Sequence, residues 1–271
     1  MLKFFGRKVI FDCHEDFPRK AHSRSWIPSP LVGMVSRVAG MMLRFAGLVA
    51  DGTIVAAPSL YPLFPGAKNL VLIRNASDPA DFSVPGEEER LSGLVFYSGG
   101  LTPDKGVEQV IEAILTSTLN LRLVIVGKEV SGVRQRLGRK LSDTRIDYRG
   151  PVSYDEVKRL MGTSQVGVVC NQPINSYDTA LPNKLFEYMA AGLPTVYSHF
   201  PHWREMCGSD STGCAVDPVS PEAIRKGIES IINDTESYLA KVTQCRQVAE
   251  RNGWPAEKKK LVSLYDRVIE A

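Results

Sequence analysis

The sequence predicts an α/β protein of two lobes, each a parallel sheet wrapped by helices. Three observations carry that prediction. Between residues 94 and 233, short β-branched runs alternate with amphipathic stretches. Strands and helices alternating at short spacing build a parallel sheet with helices on both faces. Residues 76–90, ASDPADFSVPGEEER, then read as a polar linker between this regular half and a less regular one before it. Finally, 271 residues suit one large domain or two modest ones with ample core.

Taken in order, the first lobe spans residues 1–85. Strands are expected at 8–13, 52–57 and 69–74, a helix at 31–48 and a helical turn at 59–64. The window 31–50 is the most apolar of the chain, yet it holds Arg37 and Arg44. Spanning a bilayer would bury two arginines. The reading is a packed or membrane-surface helix, with packing expected. The second lobe, 86–253, should carry strands at 94–98, 121–127, 146–149, 166–170, 195–198 and 214–217. Its helices fall at 105–117, 131–140, 154–163, 182–191, 221–233 and 235–251. A last helix, within 254–271, should pack back on the first lobe with Trp254 as its anchor.

Composition excludes several classes. Hydrophobic residues at 44% and charged residues at 23% are ordinary for a globular protein. A net charge of +3 is too weak for nucleic acid but fits an anionic ligand. Cys13, Cys170, Cys207, Cys214 and Cys245 are scattered without a CxxC pair, so neither a disulfide framework nor a zinc site is expected. Reduced thiols and a cytoplasmic protein fit best. The histidines show no HExxH spacing, and the N-terminal residues lack the apolar run and cleavage site of a signal peptide. Leu2-Lys3-Phe4-Phe5 and Arg7-Lys8 point to peripheral contact with the inner membrane face.

Two stretches carry chemistry. Residues 182–195, PNKLFEYMAAGLPT, read as a short helix with both ends marked: Pro182 suits its first turn, Asn183 can cap it, and Gly192 and Pro194 stop it. Leu185, Phe186, Met189 and Ala190 form its apolar face. Lys184 and Glu187, three apart, point the same way from the N-terminal turn. Such a turn can hold a phosphate and a sugar hydroxyl together, although a solvated Lys–Glu pair explains the same residues. Residues 98–106, SGGLTPDKG, follow the lobe's first strand and open a helix. Gly99 and Gly100 let the backbone approach a ligand, and Lys105 adds a charge for a phosphate. Neither a P-loop nor a GxGxxG fingerprint is present, which argues against a dinucleotide oxidoreductase.

Together with the trailing segment HFPHWREM…GCAVDPVSPEAI, these stretches resemble the retaining GT-B glycosyltransferases of the family called "group 1" or family four. The resemblance covers nearly the whole chain. It implies two Rossmann-type lobes and transfer of a sugar from a nucleoside-diphosphate sugar to a saccharide or polyprenyl-linked acceptor, in cell-envelope or exopolysaccharide synthesis. The reaction would retain configuration without a metal or a cofactor. By the same resemblance Lys105 and Lys184 contact the diphosphate and Glu187 the ribose. Gly99 and Gly100 lie under the donor, Val152 near the base, and His14 beside the transferred sugar.

Three departures from the family stand out. Gly100 replaces the arginine common in the glycine loop. The first glutamate of the family's pair falls on Thr179, with Asp178 adjacent. The first lobe is short, as though its acceptor-side beginning were missing. The alternative reading is therefore a nucleotide-sugar-binding chain that needs a partner chain for catalysis. A nucleotide-sugar epimerase would keep the fold, with Glu15, Asp16 and Asp178 as its carboxylates.

Overall fold

A computed structural model describes residues 6–22, 24, 26–82, 90–130, 132–174, 177 and 181–270. The chain divides into two units: Met1–Ala76 with Trp254–Ala271 (unit 1), and Ser77–Gly253 (unit 2).

Unit 1 contains β1 (Ile10–Cys13), α1 (Phe17–Ala21), α2 (Ser29–Val49), β2 (Gly52–Val55) and β3 (Leu70–Leu72). The strands pair in parallel in the order β1-β2-β3. Alternation along β2 sends neighbouring residues to opposite faces. Val55 joins Cys13, Leu43, Leu60 and Phe64 on one face, and Ile54 joins Ile73, Leu264 and Val268 on the other. The second face is closed by the helix Trp254–Glu270, with Trp254 packed against the same cluster. Glu257 of that helix is 1% exposed and accepts from Arg74 (backbone N 3.1 Å, Nη1 3.2 Å) and Lys260 (2.8 Å).

In unit 2, β4 (Leu91–Ser98), α3 (Val107–Leu115), β5 (Arg122–Val126), α4 (Val133–Leu137) and β6 (Ile146–Gly150) come first. Then follow α5 (Tyr154–Thr163), β7 (Ser164–Val169), α6 (Asn183–Ala190), β8 (Thr195–Ser198), α7 (Pro201–Met206) and β9 (Gly213–Val216). Two long helices, α8 (Pro221–Ile232) and α9 (Thr235–Asn252), end the unit. All six strands are parallel, in the order β6-β5-β4-β7-β8-β9. The order reverses between β4 and β7, and open α/β sheets bind ligands outside the strand ends at such a reversal. On one side of the sheet Val95, Leu123 and Val166 pack with Val110, Ile114, Ile224 and Ile228 of α3 and α8. On the other, Phe96 meets Tyr188 of α6 at 5.7 Å between ring centroids.

The structure corrects several expectations. The first lobe was expected to run to residue 85, but unit 2 begins at Ser77. Pro79 and Phe82 already belong to unit 2, because Arg246 of α9 donates to both of their carbonyls. The helix expected at 105–117 starts at Val107, since Gly106 turns left-handed (φ +69°) after a 3-10 turn at Pro103–Lys105. The helix expected at 131–140 ends at Leu137, where Gly138 adopts φ +48°. The trailing HFPHWREM segment, for which no helix was expected, contains α7, begun by Pro201 and anchored by the fully buried Trp203. The helix at 31–48 forms as α2, but only Leu43 and Gly47 of it are buried.

Candidate functional site

The central strands of unit 2 deliver two turns to the reversal point. After β4 the backbone runs through Gly99 at φ +147°, and after β5 through Gly127 at φ +143°. Neither position admits a side chain. A Cβ on Gly127 would lie 1.9 Å from the Gly99 carbonyl oxygen, and one on Gly99 would lie 2.1 Å from Lys184 Nζ. Gly100 is half-buried, and its carbonyl accepts from Tyr97 Oη at 3.3 Å. The 3-10 turn carrying Lys105 is tied to the segment after β7, since Gln172 N donates to the Asp104 carbonyl (2.8 Å) and Tyr177 Oη to Asp104 Oδ2 (2.7 Å). Against the opposing effect of burial, the hydrogen bond from Tyr177 and the charge of Lys105 help hold the Asp104 carboxyl below its ordinary range.

Helix α6 follows β7, the strand on the other side of the reversal point from β4. Pro182, not Asn183, occupies its N-cap, and no side chain caps it. Asn183 is exposed in the first turn. The helices that follow the outer strands are closed differently: Ser153 caps α5 and Ser220 caps α8. The helices after β4, β7 and β8, namely α3, α6 and α7, have no side-chain cap, so their first N–H groups stay available at the reversal point. The opposite end of α6 is closed by two arginines. Arg90 donates to Ala191 and Gly192 (3.1 and 2.9 Å) and to Ser164 (2.7 Å), and Arg246 donates to Ala190. Guanidinium groups at a helix C-terminus complement its dipole. Tyr188 fixes α6 to the end of β4, its hydroxyl accepting from Ser98 N at 3.1 Å.

Lys184 and Glu187 are not a solvated pair. Lys184 Nζ lies 5.8 Å from the centroid of the Tyr97 ring, under Gly99. Burial, reinforced by the positive charge of Lys105, pushes its pKa down to about 7, with Glu187 opposing. Among the described residues neither Lys184 nor Lys105 has a carboxylate within ion-pair distance. Glu187 turns away and accepts from Tyr154 Oη at 3.3 Å. Burial raises the Glu187 carboxyl, and burial with Glu187 beside it pushes Tyr154 up to about 12. Tyr154 leans edge-on against Phe82 at 6.5 Å. Val152 is half-buried in the turn between β6 and α5, after Gly150 at φ +69°.

The structure thus brings Gly99, Lys184 and the turns bearing Gly100 and Lys105 together at one strand end, with Glu187 on the same helix. His14 belongs to unit 1, just past β1. Its Nε2 lies 3.1 Å from Asp12 Oδ2 and its Nδ1 3.2 Å from Asn75 Nδ2, which fits an imidazole with its proton on Nε2. Thr179 and Asp178 lie outside the described residues, as does Leu2-Lys3-Phe4-Phe5. Sequence reasoning missed Gly127, Tyr97, Tyr154, Tyr188 and Arg90. The glycine ending the LRLVIVG run was the one local signal among them.

Two parallel α/β sheets, the second with glycine turns and uncapped helices at its reversal point, match the GT-B fold of solved glycosyltransferase structures. The chain belongs to the family "Glycosyl transferases group 1", whose model matches residues 85–248. It is similar to an uncharacterized glycosyltransferase of Methanocaldococcus jannaschii, at 26% identity over 183 residues, or 65% of this chain. The match spans 45% of that relative's length. Among solved structures it resembles HepE of Anabaena in complex with UDP (TM-score 0.78, 14% identity, 98% of this chain and 74% of that one). It also resembles the sucrose-phosphate synthase of Thermosynechococcus elongatus (TM-score 0.76, 18% identity, 96% and 68%).

Proposed function

We propose that unit 2 binds a nucleoside-diphosphate sugar and that the chain transfers the sugar to a hydroxyl of a saccharide or polyprenyl-linked acceptor. The observation that carries this reading is the pair Lys184 and Lys105, two cations at the reversal point of the sheet with no carboxylate within ion-pair distance among the described residues. Negative charge grows on the diphosphate as the sugar leaves with oxocarbenium character. Fixed cations and oriented N–H groups lower the energy of that charge more than the energy of the ground state. Lys184 and Lys105 take the diphosphate, Gly99 and Gly100 let it approach the backbone, and Asn183 lies at the open start of α6. Glu187, steadied by Tyr154, accepts from the ribose hydroxyls, and the turn at Val152 faces the base. The family resemblance assigns His14 of unit 1 to the transferred sugar.

The transfer retains configuration by front-side attack, with the leaving phosphate accepting the acceptor's proton and the two ammoniums standing in for a metal. HepE has been solved with UDP-glucose as well as UDP, which supports uridine as the base. The cellular setting proposed is cytoplasmic envelope or exopolysaccharide synthesis.

Calorimetric titration with UDP, GDP, ADP and dTDP tests the reading. One nucleotide, UDP, should bind selectively, and Lys184→Ala and Glu187→Ala should each weaken it by about tenfold to a hundredfold. Wild-type affinity in both variants would remove the site assignment. A donor-binding chain that performs no transfer without a partner is the second reading, favoured by the three-stranded sheet of unit 1. Tight UDP binding with no hydrolysis or transfer from UDP-sugars would select it.

A further inference from the structure

Helix α2 carries a row of apolar side chains that nothing described in unit 1 covers. Leu31, Met34, Val38, Met41, Phe45 and Leu48 alternate at spacings of three and four, which places them on one face of a helix. All six are exposed; Met41 is at 61% and Phe45 at 69%. The other side of the helix is the one built for packing. Gly40 faces Pro18 of α1, Gly47 leaves no room for a Cβ against Phe64, and Leu43 enters the core with Val55. The helix is therefore fixed to unit 1 by one side and presents a row of hydrocarbon on the other.

Charge identifies the occupant. Residues 17–50 include Arg19, Lys20, Arg24, Arg37 and Arg44 and no Asp or Glu. Arg37 and Arg44, seven residues apart and both exposed, border the apolar row and have no acidic partner among the described residues. Trp26, in the loop before α2, is 75% exposed. A second copy of this helix laid antiparallel would set arginines against arginines, whereas an anionic surface would pair with them. A transmembrane placement would pull Leu43 from its core and put two arginines in hydrocarbon. We infer that α2 is an in-plane anchor, seating its Leu31–Leu48 row in the headgroup region of an anionic bilayer with Arg37 and Arg44 on the lipid phosphates. The inference stands on unit 1 and is independent of the donor site.

Co-sedimentation of the full chain with vesicles tests it, using phosphatidylcholine alone and an equal mixture of phosphatidylcholine and phosphatidylglycerol. The chain should pellet with the mixed vesicles and stay in solution with the neutral ones. Met41→Ser and Phe45→Ser should each lower partitioning by about tenfold. Arg37→Gln and Arg44→Gln should each lower it by about fivefold and flatten its salt dependence. Circular dichroism and UDP titration check that the variants remain folded. Absence of binding to mixed vesicles, or equal binding to neutral ones, would overturn the inference. So would a dimer in solution that Phe45→Ser converts to a monomer, since the row would then be a contact between copies.

Discussion

The two units depart from the usual partition of residues in opposite directions. Unit 2 takes cations into its interior, and unit 1 puts hydrocarbon on its surface. Within unit 2 the buried Arg90 and the half-buried Lys184 differ again. Arg90 is surrounded by three carbonyl oxygens, so its charge is answered by the fold. Lys184, half-buried, meets an aromatic face, a glycine and a second lysine, and Glu187 opposes their effect only from beyond ion-pair distance. A buried charge with protein partners is part of the architecture. A half-buried charge with no ion pair among the described residues, like an apolar row without a cover, marks a place where something else completes the structure.

Substitutions can break that comparison at each point. The largest effect should come from Arg90→Met, which leaves the carbonyls of Ser164, Ala191 and Gly192 buried without a donor. A loss of about 4 kcal/mol in urea unfolding is expected, and a loss below about 1 kcal/mol would show that these carbonyls find other partners. Next is Leu43→Ala, on the packed side of α2, at about 3 kcal/mol.

The lysine is read by pH. Its pKa in the free chain is about 7 against an ordinary 10.5, so a bound diphosphate must draw a proton back as pH rises. UDP affinity should be full below pH 7 and fall by about tenfold per pH unit above it. Proton uptake would appear as a dependence of the calorimetric heat on buffer. Without ligand the sign reverses: across the window from 7 to 10.5 the unfolded chain binds more protons at this site, so its contribution to stability grows with pH. A flat affinity profile would mean that Lys184 does not face the anion.

Smaller effects sharpen the picture. Tyr154→Phe removes one hydrogen bond to Glu187 and should weaken UDP by about fivefold, with no change in folding. Phe45→Ser, two residues from Leu43, should shift stability by less than about 0.5 kcal/mol in the absence of lipid. The contrast between Leu43 and Phe45 would measure how one-sided the helix is.

Much of unit 2 was legible because local signals agreed with the fold. Strand and helix periods alternate, and Pro182, Gly192 and Pro194 punctuate α6, so both the helix and its Lys184–Glu187 pair could be read from spacing. What spacing could not convey was where those side chains go. Glu187 meets a tyrosine 33 positions away, and the C-terminal end of α6 is held by Arg90 from about a hundred positions away. The start of unit 2 was missed for the same reason, since Arg246 reaches Pro79 across 167 positions. The exposure of α2 was illegible in another way. An apolar helix with glycines every seven residues reads the same whether one side or both sides are covered.

One feature of unit 1 bears on how the chain comes into being. Arg74 is made 183 positions before its partner Glu257. Unit 2 is contiguous and lies wholly in that interval, so it can leave the ribosome and close on itself while unit 1 waits. During that time the face of β2 bearing Ile54, together with Ile73, stands open, and only translation of the helix Trp254–Glu270 shuts it. The nascent chain thus carries a half-built sheet throughout the synthesis of unit 2.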